Sequence, residues 1–456
     1  MSLTAFPTIL FNTSTGSDTA ASGAGPATAI TGTCAASTNT TTVTFNGNPD
    51  LSGVSQDGSH VLWVSGVGFV RISTVDDAAN TCVVETALTI TASTAFAIGG
   101  KRAVLGETEP RRLWAATAAP TASGASGQWT IQLEDDQSIS ATITAAFTAG
   151  TGYLILKGDS TSTRRTITQT GNATHFTSAT GNKLQIQNCQ FRNSNATKNE
   201  VYTSSSTVVI RFDNCIIGAT DGTNCPKSIG VRTASAHTTM LYNTSAIRLT
   251  GTGISIGSGS LEMYGSEISR SGGVGITSAS PTMTISSSII SHNTGDGINC
   301  SAIPSRVLCV GNTIHGNSGD GLDIGGANNS NNIVIINNQI TANTGYGITQ
   351  PGTAPHYALI EYNNFGNASD STNNTSGSAN GFTLGSSNTT VAPGYTDASA
   401  ATRNFGIASS AKATGFPDAT AAIAAGVSGS TSYVDIGAVQ RQESGGAASG
   451  GLVIGS

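Results

Sequence analysis

Between residues 184 and 365 the chain repeats one short phrase in which apolar and polar residues alternate: LQIQNCQF, IRFDNCII, LEMYGSEI, MTISSSII, VLCVGNTI, IVIINNQI and ALIEYNNF. Aligned on the last residue, it gives a column Phe191, Ile217, Ile268, Ile290, Ile314, Ile340 and Phe365, with a degenerate copy ending at Ser245. A second apolar column stands five residues upstream (Ile186, Phe212, Met240, Met263, Ile285, Cys309, Ile335, Ile360). A third stands seven upstream (Leu184, Ile210, Thr238, Leu261, Met283, Val307, Ile333, Ala358). Alternation with period two is the pattern of a strand with one face inward. A spacing of roughly 25 residues between copies makes each copy one unit that buries its apolar side only against its neighbours, which is a solenoid. β-branched residues fill the columns, and Gly, Ser, Thr and Asn fill the rest, so helical repeats would oppose local propensity.

After the apolar residue at minus five the chain must turn. Asn188, Asn214, Ser287, Gly311 and Asn337 occupy that point, with Asn312, Asn338 and Asn363 one step on. Asn tolerates the left-handed conformation and can bond along a ladder of identical residues. A second corner follows in Ser-Gly-Gly-Val-Gly-Ile (271–276), Thr-Gly-Asp-Gly-Ile (294–298), Ser-Gly-Asp-Gly-Leu (318–322) and Thr-Gly-Tyr-Gly-Ile (344–348), each placing Gly-Ile or Gly-Leu at the same distance from the column. Two corners and three short strands describe one coil of a parallel β-helix. The chain therefore resembles the right-handed parallel β-helix family of pectate lyases, polysaccharide depolymerases and phage tailspikes, fibres and head-decoration proteins. That resemblance implies an all-β fold and, by itself, no particular activity.

Outside the repeats the pattern changes. Residues 1 to about 40 are a Ser/Thr/Ala/Gly tract that reads as an arm. From Thr40 to Gly100 the runs TTVTF, HVLWV, GFVRI, TCVVETAL and FAIGG form a small β domain, with a hairpin at Ser65–Gly68. The expected division is an N-terminal arm and head, 1–110, for anchoring or oligomerisation; a β-helix with atypical end coils, 111–440; and a Gly-rich tail, 441–456. Within 101–127 lies a connector. Trp129–Leu133 and Tyr153–Gly158 read as first coils, with Glu134, Asp135 and Asp136 between them. Asp418–Ala425 reads as a short helix, and Tyr433–Gln440 as a closing strand.

Composition narrows the function. Charged residues are 10% of the chain, a level that would suit disorder if the columns did not hold register. A net charge of −6 gives no basic footprint for nucleic acid. No apolar run reaches membrane-spanning length, and the N-terminus shows no signal-peptide pattern. Seven cysteines (34, 82, 189, 215, 225, 300, 309) lack zinc spacing. Cys189 and Cys215 take the same slot on successive copies, as two stacked small residues or a disulfide; Cys309 reads as core.

Asp296 and Asp320 take the same corner position on successive coils, so their carboxylates stand roughly 5 Å apart, a separation that suits a retaining glycosidase. With Asp323 nearby and Tyr346 one coil on, they are the candidate glycan site, while Asp between two glycines is also ordinary turn chemistry. Glu262, Glu267 and Glu361 read as solvated, and His175, His237, His292, His315 and His356 as surface residues. The arginines at 192, 211, 232, 248 and 270 face no stacked run of Asp, so the family's catalytic residues do not carry over. The expectation is no catalytic, cofactor or metal residue, a virion surface location (or an extracellular one), a homotrimer attached to other virion proteins through the N-terminal domain, and a host surface glycan as further partner. The alternative is a polysaccharide-binding or polysaccharide-degrading enzyme, a lyase or glycoside hydrolase.

Overall fold

The computed structural model describes residues 7–105 except 19 and 104, then 129–145, 154–178, 183–194, 201–204, 209–218, 230–233, 237–279, 282–300, 306–324, 332–349, 357–365, 375–376, 388–390, 395–399 and 404–407. Most of the connector, Asp418–Ala425, Tyr433–Gln440 and the Gly-rich tail lie outside the described residues. The chain divides into two compact units, Met1–Lys198 with Tyr202–Arg211, and Asn199–Val201 with Phe212–Ser456.

In the first unit, β1 (Thr8–Phe11) is followed by six strands: β2 (Ile30–Cys34), β3 (Ser37–Thr44), β4 (Val61–Val64), β5 (Gly68–Asp76), β6 (Thr81–Ile90) and β7 (Thr94–Ile98). The six pair antiparallel in the order β2-β7-β4-β5-β6-β3. The Ser65–Gly68 signal is the β4–β5 hairpin, with Val64 opposite Gly68 and Gly66 at φ +74°. Cys34, Val43, Phe45, Leu62, Ile72, Val84, Phe96 and Ile98 make the core, with the Phe45 and Phe96 rings 4.3 Å apart.

Residues 1 to 40 do more than form an arm. β1 pairs in parallel with β8 (Trp129–Leu133), Thr8 opposite Thr130 and Phe11 opposite Leu133, so it completes the first sheet of the solenoid. Leu154–Gly158 and then Lys183–Gln187 continue that sheet. The acidic run after β8 fastens this start. Glu134 accepts from Lys101 Nζ at 2.6 Å and Asn12 Nδ2 at 3.2 Å, and Asp135 accepts from the amide of Thr13 at 2.6 Å. Arg102 is wholly buried beneath the arm. Its Nη1 donates to the carbonyl of Ala21 at 2.7 Å, its guanidinium lies 5.5 Å from the Trp63 ring centroid and 5.4 Å from that of Phe69, and Asp18 is 3.6 Å away. Arg102→Ala removes the cation from beside both rings and leaves the buried Ala21 carbonyl without this donor. The expected cost is about 2–4 kcal/mol, from the unsatisfied carbonyl and the lost ring contacts, read as a lower melting temperature for the head.

In the second unit one coil runs Thr282–Ser286, corner, Ile289–Ser291, corner, Ile298–Cys300. Coil after coil these three strands stack in register as a first, second and third parallel sheet. The second sheet aligns Ile217, Ala246, Ile268, Ile290, Ile314 and Ile340. These six and Phe365 are buried, as is Phe191 in the first unit. At about 1.5–3 kcal/mol for each fully buried large aliphatic or aromatic side chain, the column is a leading source of stability.

The degenerate copy is offset by one residue from its sequence reading. Thr239 and Leu241, not Thr238 and Met240, pair with Leu261 and Met263, and Ala246, not Ser245, joins the Ile column. Ala246 and Thr239 are too small and too neutral to mark their own register. Cys189 and Cys215 are buried thiols outside any disulfide, donating to the carbonyls of Gln187 at 3.2 Å and Asp213 at 3.3 Å, and Cys309 lies in the core.

Both corners have visible causes. At the first, Asn214, Asn243, Ser287 and Asn337 sit at φ between 47° and 62°, where Asn is among the least strained non-glycine residues. The next residue builds a ladder: Asn312 Nδ2 donates to Asn338 Oδ1 at 2.9 Å, Asn338 to Asn363 at 2.9 Å, and Asn363 to Asn388 at 3.0 Å. A second ladder, Asn293–Asn317–Asn343, runs beside it. At the glycine corner a Cβ on Gly275, Gly297 or Gly321 would stand 2.6–2.7 Å from the glycine carbonyl oxygen of the next coil, so only glycine fits.

Candidate functional site

The glycine corner positions the acidic candidates. In Thr-Gly-Asp-Gly-Ile-Asn (294–299) and Ser-Gly-Asp-Gly-Leu-Asp (318–323), the Asp stands at the bend and the last residue points outward from the third sheet, between two inward ones. Asp296 Oδ1 accepts from the amide of Asp320 at 2.8 Å, and Asp320 Oδ1 accepts from the amide of Tyr346 at 2.7 Å. Each carboxylate thus caps the next coil. A Cβ on Gly319 or Gly345 would fall 2.1 or 2.0 Å from these carboxylate oxygens, which is why the residue before the Asp position is glycine.

The second oxygens are also engaged. Asp296 Oδ2 accepts from Asn299 Nδ2 at 2.8 Å, and Asp320 Oδ2 from Thr349 Oγ1 at 2.5 Å. Asn299 Nδ2 donates as well to Asp323 Oδ2 at 2.9 Å. The site therefore joins Asp296, Asp320 and Asp323, and adds Asn299 and Thr349, which sequence reasoning missed. Their shared place, two residues after the second glycine of the corner, was the available signal. Burial, then the charges of Asp296 and Asp320, push the Asp323 carboxyl above its ordinary range, with the Asn299 bond opposing. Tyr346 is 37% exposed and edges the patch.

Chemically this is a polar ladder able to exchange hydrogen bonds with a hydroxyl-rich surface. Two of its carboxylates are engaged by the fold. Among the described residues no group of three or more His, Cys, Asp or Glu is arranged to hold a metal ion. Residues 210–365 match the family model for a right handed beta helix region. This is a right-handed parallel β-helix protein. No curated protein matches the chain.

Three readings of single residues in the β-helix are corrected by its packing. Glu267 is buried, not solvated, and accepts from Ser269 Oγ at 2.6 Å. His175 is buried in the first unit, where its Nε2 lies 2.8 Å from the carbonyl of Arg192 and its ring meets Phe191 edge-on at 5.5 Å. His315 is largely enclosed, held at about 4 by burial and then by His292. His237 begins a strand of the first sheet, and His356 lies outside the described residues.

Proposed function

We propose that this β-helix is a non-enzymatic structural protein of a bacteriophage virion surface, of the tailspike, fibre or capsid-decoration type, with the solenoid as a rigid display element. The observation that carries the non-enzymatic part is the engagement of Asp296 and Asp320. A hydrolase acid needs a proton and freedom to deliver it, whereas each of these accepts a backbone amide of the next coil and a side-chain donor through its other oxygen. The resemblance to phage β-helix proteins supports the virion setting. The head domain then supplies the attachment to other virion proteins, and the Ser/Thr-rich faces suit a homotrimer. Incubation with host capsule polysaccharide or pectin should release no new reducing or unsaturated ends, and immunogold labelling should decorate purified particles. Unlabelled particles, or released ends, would overturn the proposal. Light scattering should give three times the chain mass at micromolar concentration.

A second reading, a polysaccharide-degrading enzyme, is favoured by one feature: Asp323 holds its proton more readily than a free carboxyl. Asp323→Asn separates the two. On the structural reading it changes melting temperature little and abolishes nothing. For the double change Asp296→Asn and Asp320→Asn, each asparagine retains one acceptor for the amide, and the expected cost is about 1 kcal/mol per site, seen as a small drop in melting temperature.

A further inference from the structure

In the second sheet of the second unit, the residues flanking the inward column point away from the core. Strand alternation would make them solvent-facing, yet Ser269, Ile289, Ser291, Thr313, Gln339 and Thr341 are all buried. This sheet is therefore covered on both faces. Among the described residues Tyr395 lies against this outer face, and it begins the strand Tyr395–Asp397, which pairs antiparallel with Asn404–Ile407. Its ring stands edge-on to His315 with centroids 5.1 Å apart, and its hydroxyl is 3.2 Å from Thr341 Oγ1. Thr341 Oγ1 is in turn 2.9 Å from His315 Nδ1, closing a chain from imidazole to threonine to tyrosine. On its other side His315 meets the His292 ring at 5.5 Å.

From this arrangement we infer that the hairpin carrying Tyr395 is an acid-labile cover over the second sheet, released when His315 becomes an imidazolium. The charged form finds a poor environment. Its nearest titratable neighbours are His292, on the adjacent coil, and the Tyr395 phenol, from the hairpin. Arg270 continues the column of His292 and adds positive charge, Asp397 lies two residues beyond Tyr395, and the buried Glu267 sits two coils away in the outer face. With the cover closed, burial and His292 hold His315 at about 4, against 6.5 for the free side chain. The closed state thus binds the proton less readily than the open one. Closure is fully favoured above the free value and weakens as pH falls from about 6.5 toward 4. An open cover would expose the outer row of the second sheet, a flat polar surface with Ile289 in it.

Hydrogen–deuterium exchange on the full chain, with labelling times scaled for intrinsic rate, tests this. At pH 4.5 the protection of 395–407 should fall at least tenfold relative to pH 7, while strands 282–286 and 306–310 of the first sheet stay protected. His315→Gln should keep 395–407 protected at pH 4.5, and Tyr395→Ala should open it already at pH 7. Protection of 395–407 that ignores pH in the unsubstituted chain, acid opening of His315→Gln to the same extent, or full protection of Tyr395→Ala at pH 7 would each overturn the inference. If His315→Gln loses its first-sheet protection, the unsubstituted chain and Tyr395→Ala decide between them.

Discussion

Ile290→Asp should leave the second unit unable to hold its coils at 25 °C. Ile290 lies between Ile268 and Ile314 in the second sheet and is fully buried. The change removes an aliphatic side chain worth about 2–5 kcal/mol in a packed core. It also buries a carboxyl with no donor built for it, which adds about 2–7 kcal/mol even when the group stays neutral. Together these are about 4–12 kcal/mol, most or all of a domain stability of about 5–15 kcal/mol. The expected result is insoluble protein, or a soluble chain whose circular dichroism has lost the part of its strand signal that the second unit supplies. Thr284→Asp, at an outward position of the same coil, is the control and should shift stability by less than about 1 kcal/mol. A folded Ile290→Asp protein melting near the unsubstituted chain would mean that this column does not form the core.

The β-helix was legible because bulky residues repeat at fixed offsets, so an error in one copy is corrected by the others. Where bulk is missing, legibility fails: Thr239, Leu241 and Ala246 were displaced by one position because Thr239 and Ala246 are small and Met240 is about as bulky and apolar as Leu241 beside it. The head sheet was readable from alternating runs and one glycine hairpin. The pairing of β1 with β8 was not, since a parallel partner more than a hundred residues away leaves no turn between them to read. Within the candidate site, the Gly-Asp-Gly corners announced Asp296 and Asp320, but the acceptor geometry that engages them depends on where the next coil's amide falls. Glu267 and His315 were misread because alternation assigns both to solvent. Tyr395, which packs on His315, lies 80 positions beyond it, so no local window around His315 contains it, and Glu267 is buried with Ser269 as its donor.

Asn338→Ala and Asn338→Asp should destabilise the β-helix by different amounts, and only the aspartate deficit should depend on pH. Asn338 is fully buried. Its Oδ1 accepts from the amide and from the side-chain nitrogen of Asn312 at 2.8 and 2.9 Å, and its Nδ2 donates to Asn363 Oδ1 and to the carbonyls of Cys309 and Ile336 at 2.9, 2.9 and 3.0 Å. Alanine strands at least one buried donor on Asn312 and one acceptor below it. At about 1–3 kcal/mol for each unsatisfied group, the expected loss is about 3–5 kcal/mol, largely independent of pH. Aspartate keeps both acceptor sites for Asn312 but turns a second oxygen toward Asn363 Oδ1 and two carbonyls, so its ionised form is repelled and desolvated together. The folded state will therefore hold that carboxyl protonated to a higher pH than the unfolded chain does. A carboxyl raised on folding contributes its penalty at high pH and sheds it as pH falls through the folded value, because the protonated form can again donate to the ladder. Urea unfolding at pH 7.5 should rank unsubstituted chain, then alanine, then aspartate. At pH 5 the alanine variant's deficit against the unsubstituted chain should be unchanged, and the aspartate variant should have recovered toward it or past it. A fixed gap between the two variants at both pH values would show that Asn338 fills space in the corner without the ladder's bonds carrying its contribution.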